Sequence, residues 1–277
     1  MPRALIRGAY CVYEVTGTGA PLVLIHSIGL STRQGWGAQV PVLARSHRVV
    51  TYDIRGLGES AAGEERLSIA TFAADLAALM DHLGIERAAL MGVSLGGFIA
   101  QAFTLASPER VSALVLVSTA CRIAAGNTGA RADRNARIRA EGMAVAAGPQ
   151  LESHFAQAFR AAHPEVMEWY QGHYCANDPA HYTAIMEDLG TFDCCDGLGA
   201  IGCPTLVVAG AEDAGAVAGR VSLESAQTLR ARIPGARLEI IEGAHHYPQI
   251  EQAEAFNRAV LAFLDGPADE GAKGRTE

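Results

Sequence analysis

Apolar residues along this 277-residue chain follow two rhythms. Apolar runs recur at Tyr10–Val15, Pro21–His26, Val49–Asp53, which is rich in β-branched residues, Ala88–Val93, Val111–Ser118, Pro204–Ala209 and Arg237–Ile241, and each predicts a strand. Between them the spacing changes to three and four residues. Phe72, Leu76, Leu79 and Leu83 fall on one face of a helix over Ile69–Leu83. Further helices are predicted at Phe98–Ala106, Leu223–Ile233 and Gln252–Leu264. Strand-helix alternation of this kind points to an α/β protein with a doubly wound, mostly parallel sheet. Val111–Ser118, nearly continuous in its apolar character, is what a strand covered by helices on both faces looks like.

From Cys121 to Leu198 that rhythm stops. Branched runs give way to arginine, alanine, histidine and aromatic residues, as in Arg131–Arg137 and Trp169-Tyr170. The expectation is a mostly helical insertion over residues 121–198, a lid on a core made of residues 1–120 and 199–266. The polar, glycine-bearing residues 267–277 are expected to be a flexible tail.

Composition narrows the classes. Hydrophobic residues make up 49% and charged residues 19%, as in a folded globular protein. With a net charge of −8 and no run of Lys or Arg, nucleic acid is excluded as a partner. No apolar stretch reaches the roughly 18 residues needed to span a bilayer, and Met1–Gly8 holds no signal-like apolar run, so no membrane association is expected. The six cysteines, Cys11, Cys121, Cys175, Cys194, Cys195 and Cys203, are spaced neither as a zinc site nor as a disulfide framework. Adjacent Cys194 and Cys195 read as small packed residues rather than a redox pair. A cytoplasmic location follows as the expectation. No metal cluster appears and no cofactor is expected, since Gly92–Gly97 lacks the G-x-G-x-x-G spacing. A small-molecule substrate is the expected partner, and a homo-oligomer stays open.

Chemistry concentrates at Gly92-Val93-Ser94-Leu95-Gly96, a G-x-S-x-G sequence between a predicted strand and a predicted helix. Strand, sharp turn and helix make this a nucleophile elbow, where neighbouring glycines make room for a serine at strained backbone angles. A serine hydroxyl needs a base, and the base needs an orienting acid. In this architecture they follow in the order Ser, acid, His. Asp213 lies just past the Pro204–Ala209 strand and His246 just past Arg237–Ile241, at the carboxyl ends where open α/β sheets build their sites. Glu212 and His245 are adjacent alternatives. Strand alternation turns only one of Glu212 and Asp213 toward the histidine, and Asp213 is preferred. Val117–Ala120, after the preceding strand, offers no rival acid. Oxyanion donors are expected from the backbone N–H groups of Leu95 and Ile28. His26, Trp36, His245 and the lid arginines Arg134 and Arg137 are candidates for substrate binding. Of these, His26 reads more readily as a loop-pinning histidine and Trp36 as a packed aromatic. Asp53 and Arg55 in Tyr52–Ser60 are expected to brace a loop by an ion pair and hydrogen bonds.

With these residues in place the chain resembles the α/β-hydrolase family from about Tyr10 to Leu264. His26 with Gly29, the Asp53–Ser60 loop, Gly92–Gly97, Gly210–Asp213 and Gly243–His246 match its motifs in order. The resemblance implies Ser94 as nucleophile, Asp213 as acid and His246 as base. Within the family the chain is most similar to 3-oxoadipate enol-lactonases, through Gly92–Gln101, Pro108–Val111 and the lid stretches Asn135–Met143 and Ala158–Glu165. It departs from them at His26, where an asparagine is usual, in Tyr182–Asp193, and in Ala214–Val217, which lacks the usual proline. The function implied is hydrolysis of a small, carboxylate-bearing ester or lactone, with lid arginines among Arg131, Arg134, Arg137 and Arg139 holding the carboxylate. Carbon–carbon bond or amide hydrolysis of an aromatic ring-cleavage product is the alternative within enzymes. A ligand receptor on a hydrolase scaffold is the alternative outside them.

Overall fold

A computed structural model describes residues 1–123, 128–213 and 223–266. The expected tail, residues 267–277, and the segment after Asp213 lie outside the described residues. The chain opens with strands β1 (Arg3–Ile6), β2 (Ala9–Thr16) and β3 (Ala20–Ile25), and helices α1 (Thr32–Gly35) and α2 (Val40–Leu43). Strand β4 (His47–Tyr52), helix α3 (Ile69–His82), strand β5 (Ala88–Val93), helix α4 (Leu95–Ala106) and strand β6 (Val111–Val117) follow. Helices α5 (Thr128–Glu141), α6 (Ala144–His154), α7 (Gln157–Ala162), α8 (Pro164–Cys175) and α9 (Pro179–Leu189) stand between β6 and β7 (Thr205–Gly210). Helix α10 (Leu223–Arg232), strand β8 (Arg237–Ile241) and helices α11 (Pro248–Glu251) and α12 (Ala253–Leu264) complete it.

The eight strands form one sheet in the order β1-β2-β4-β3-β5-β6-β7-β8. Strands β1, β2 and β4 pair antiparallel, and every other pair is parallel. All six residues of β5 are buried, because α4 covers it and β3 and β6 flank it. That is why the central strands read as apolar runs without alternation. Along α3, Phe72, Leu76 and Leu79 are buried as their spacing predicts, and the Ser68 hydroxyl caps the helix by accepting from Thr71 N. Helices α3 and α4 pack together, while α2 and α12 meet each other and touch β4 and β8.

Two expectations change here. Asp53 and Arg55 do brace their loop, but not as a pair. The Asp53 carboxylate accepts from Thr32 N at 3.0 Å and Glu59 N at 2.9 Å, while Arg55 makes a buried two-pronged bond to Asp75 of α3 at 2.6 and 2.7 Å. Cysteine spacing also misled, because Cys121 is disulfide-bonded to Cys195, 74 residues away. Pairing is set by where the fold brings the two ends of the insertion, which local spacing does not encode. Cys194 stays a free thiol, pushed up to about 12 chiefly by burial.

Candidate active site

Strand β5 ends at Val93, and Ser94 sits at φ 52°, ψ −114°, outside the usual regions for a residue with a side chain. Sterics around it explain the glycines. A Cβ on Gly92 would stand 2.2 Å from Gly96 O, and one on Gly96 would stand 2.1 Å from Ile25 O. The turn is held from behind as well: Ser94 N donates to Val117 O, and the Thr119 hydroxyl donates to Ser94 O, both at 2.9 Å. Ser94 itself is half-buried between fully buried neighbours. Because Gly96 presses on the end of β3, the first turn of α4 lies against the loop that leaves β3. Leu95 opens that turn, and Ile28 lies in the loop that leaves β3. Neither N–H has a backbone acceptor outside regular elements among the described residues.

Asp213 and His246 meet beyond the ends of β7 and β8. Both are buried, and His246 Nδ1 lies 3.1 Å from Asp213 Oδ2. An Nδ1–H donating to that carboxylate leaves Nε2 as the basic nitrogen. The loop carrying His246 crosses β7 so closely that a Cβ on Gly210 would stand 2.0 Å from His245 O. Asp213 rather than Glu212 faces the histidine, for Glu212 is exposed, with its N–H donating to Ala244 O, while the Asp213 carboxylate meets His246. His245 Nδ1 approaches the other carboxylate oxygen, Asp213 Oδ1, at 3.7 Å. Ser94, Asp213 and His246 thus stand at the carboxyl ends of parallel strands β5, β7 and β8, on one edge of the sheet. A hydrogen bond ties the loops across that edge: Ser27 Oγ, past β3, lies 2.9 Å from the Tyr247 hydroxyl.

The five candidates for substrate binding separate. His26 is fully buried with both ring nitrogens engaged, Nε2 accepting from Ile54 N at 2.9 Å and Nδ1 2.6 Å from Ser27 O. Burial lowers its pKa, so the ring is a neutral pin between two loops, and neither ring nitrogen is left for a substrate. Trp36 is also fully buried, 6.4 Å from the Phe256 ring of α12, and its Nε1 has no polar partner among the described residues. Arg137 faces solvent and pairs with Glu141 at 3.4 Å. His245 and Arg134 remain close to buried space, His245 beside Asp213 and Arg134 on a cavity between α5 and α6.

The insertion supplies residues that sequence patterns did not single out. His154, the last residue of α6, stacks on His246 with ring centroids 4.6 Å apart, and its carbonyl accepts from His246 N at 3.1 Å. The Gln150 amide nitrogen lies 2.8 Å from His154 Nε2 and the Tyr170 hydroxyl 2.7 Å from Nδ1. Buried Glu251 of α11 accepts from Ala156 N at 2.7 Å and from His245 N at 2.8 Å. It joins the α6–α7 connection to the histidine loop. Burial raises its pKa to about 7, outweighing the amides of Ala156, His245 and Tyr247, and Glu212 pushes the same way. No periodicity marks these residues, because each is buried by contact between the insertion and the sheet edge. Among the described residues no cluster of metal-ligating side chains occurs, and no helix is long and apolar enough to cross a membrane.

Residues 20–253 match the family model of the alpha/beta hydrolase fold. The chain is 30% identical to 3-oxoadipate enol-lactonase 2 of Acinetobacter baylyi over 91% of its length and 92% of that protein. It is 31% identical to a putative carbamate hydrolase, RutD, of Azorhizobium caulinodans over 95% of its length and 98% of that protein. Its fold superposes on the crystal structure of the enol-lactonase from Burkholderia xenovorans LB400 with a TM-score of 0.89 at 29% identity, covering 95% of this chain and 100% of that one.

Proposed function

The chain belongs to the α/β-hydrolase family and is a hydrolase, and from that premise we propose that it cleaves a small carboxylate-bearing ester or enol-lactone through Ser94, His246 and Asp213. The observation that carries this is the buried Asp213–His246 bond at 3.1 Å, on the same sheet edge as a serine held at positive φ. His246 Nε2 takes the Ser94 proton as Oγ attacks the carbonyl. Asp213 holds the imidazole in the required tautomer and stabilises the imidazolium. The Leu95 and Ile28 amides receive the oxyanion. His246 then protonates the leaving enolate or alcohol, and water activated by the same ring releases the acyl group.

Ser94→Ala is expected to lower kcat by about 10⁴-fold or more on any substrate the enzyme turns over, with an unchanged melting temperature. Retained turnover in that variant would overturn the assignment. A carbamate or amide is the second reading, favoured by the near full-length similarity to a putative carbamate hydrolase. Product identification on a panel of enol-lactones, aryl esters and carbamates separates the two: ammonia release marks the second, and acid formation without it the first.

A further inference from the structure

No step of the proposed reaction uses a residue of the inserted helices, yet one of them lies against the base. Buried His154 is the last residue of α6, where the helix offers its carbonyls no further turn, and its carbonyl accepts from His246 N at 3.1 Å. Its ring lies on the His246 ring, with centroids 4.6 Å apart and planes inclined by 21°. His154 therefore meets the base twice, at the backbone and across the ring face. The His154 ring is itself fixed. Nε2 lies 2.8 Å from the Gln150 amide nitrogen and Nδ1 2.7 Å from the Tyr170 hydroxyl, while the rings of Tyr170 and Tyr247 stand edge-on to it. With both nitrogens engaged, what this ring offers His246 is a flat face in one set orientation, not a proton.

His246 needs such a face. Its side chain is tied to Asp213 at one corner, Nδ1 to Oδ2 at 3.1 Å. A ring bonded at one corner can tilt about that bond. Tilting carries Nε2, the far nitrogen, away from the position in which it takes the Ser94 proton, and small misplacements of a reacting group cost rate steeply. A stacked ring at 4.6 Å blocks the tilt toward the insertion. We infer that His154 is a positioning residue for the base, and that the inserted helices hold the His246 ring in place through it. The inference deepens the hydrolase reading above and rests on it. Glu251 secures the same junction, since it accepts from Ala156 N and His245 N, just past His154 and just before His246.

The test compares His154→Phe, which keeps a flat ring, with His154→Leu, which fills the space without one. The first readout is the rate at which diisopropyl fluorophosphate labels Ser94 in the full chain, a reaction that needs the serine and its base but no natural substrate. His154→Leu is expected to slow labelling about 30-fold, and His154→Phe to stay within about threefold of the unaltered protein. The second readout is the downfield proton resonance of the His246 Nδ1–H on Asp213. It is expected to be sharp in the unaltered protein and His154→Phe, and broadened by exchange with water in His154→Leu. An unchanged rate or resonance in His154→Leu, equal slowing by both variants, or no such resonance in the unaltered protein would overturn the proposal. An unaltered protein that is not labelled at all overturns the hydrolase reading instead, and the resonance then decides alone whether His154 holds the ring. Melting curves identify a variant that fails to fold. His154→Ala then takes the place of His154→Leu, with the same outcomes expected.

Discussion

At the scale of single residues, the glycines around Ser94 are not interchangeable with glycines elsewhere. A methyl group on Gly96 would stand 2.1 Å from Ile25 O and 2.9 Å from His26 O, both backbone atoms at the end of β3. No rotamer change relieves such a clash, so the elbow and the β3 loop must move apart. Gly96→Ala is expected to cost about 3 kcal/mol or more and to separate the Leu95 and Ile28 amides. On α8, Gly172 meets nothing within 4 Å, and there the same change is expected to stabilise by about 0.5 to 1 kcal/mol. Thermal denaturation of the two variants, with kcat measured for each, checks the contrast. Similar midpoints would mean that the elbow is not held by β3. The motif was legible at this scale because strand, turn and helix adjoin in sequence and Gly92 meets Gly96 within the turn itself. The partners of His26 and Trp36 were not, because which loop a ring nitrogen meets, and which helix an indole packs on, is decided far away in sequence.

At the scale of elements, legibility follows length and environment. Strands β3, β5, β6 and β7 announce themselves because helices cover both faces and leave no polar alternation. Strand β1 and helices α1 and α2 have only four residues each, too few for a period to register, and the reading from sequence missed them. Between elements, Glu251 carries the most testable contact, since its carboxylate alone joins α11 to both Ala156 N and His245 N. Its pKa is about 7 in the folded state against 4.5 for an ordinary glutamate. The folded protein therefore binds more protons than the unfolded chain between those values. Stability from this group is fully present below about pH 4.5 and is lost as pH rises through about 7, a change of about 3 kcal/mol. Glu251→Gln has no such titration. Its melting temperature, compared with that of the unaltered protein from about pH 5 to pH 8, is expected to fall less as pH rises. At pH 8 the variant is also expected to show lower kcat, because an amide cannot accept from both N–H groups. Parallel melting curves would show that Glu251 is not the buried acid that its surroundings make it.

At the scale of the whole molecule, the inserted helices are fastened to the sheet at several points. Near the sheet edge, Glu251 and His154 bind them to the histidine loop. On the flank, Asp188 of α9 accepts from Ile69 N at 2.8 Å, at the start of α3. At their root the two ends of the insertion are joined by the Cys121–Cys195 disulfide, by Cys194 N donating to Cys121 O at 3.0 Å, and by the Arg122–Asp193 ion pair at 3.2 Å. The ion pair is largely exposed and adds little. The disulfide acts differently, since it closes a loop of 74 residues in the unfolded chain. On the chain-entropy account a loop of that length is worth about 4 kcal/mol. Reductant, or Cys121→Ser with Cys195→Ser, is therefore expected to lower the denaturation midpoint by the equivalent of about 4 kcal/mol. Cys203→Ser, at a free thiol outside the insertion, is expected to leave it nearly unchanged. Because Glu251 and Asp188 hold the helices independently of the bridge, turnover measured well below the midpoint is expected to survive reduction. A midpoint indifferent to reductant would mean that the bridge does not constrain the chain. Activity lost long before unfolding would mean instead that the root of the insertion, rather than its contacts with Glu251 and Asp188, keeps His154 stacked on His246.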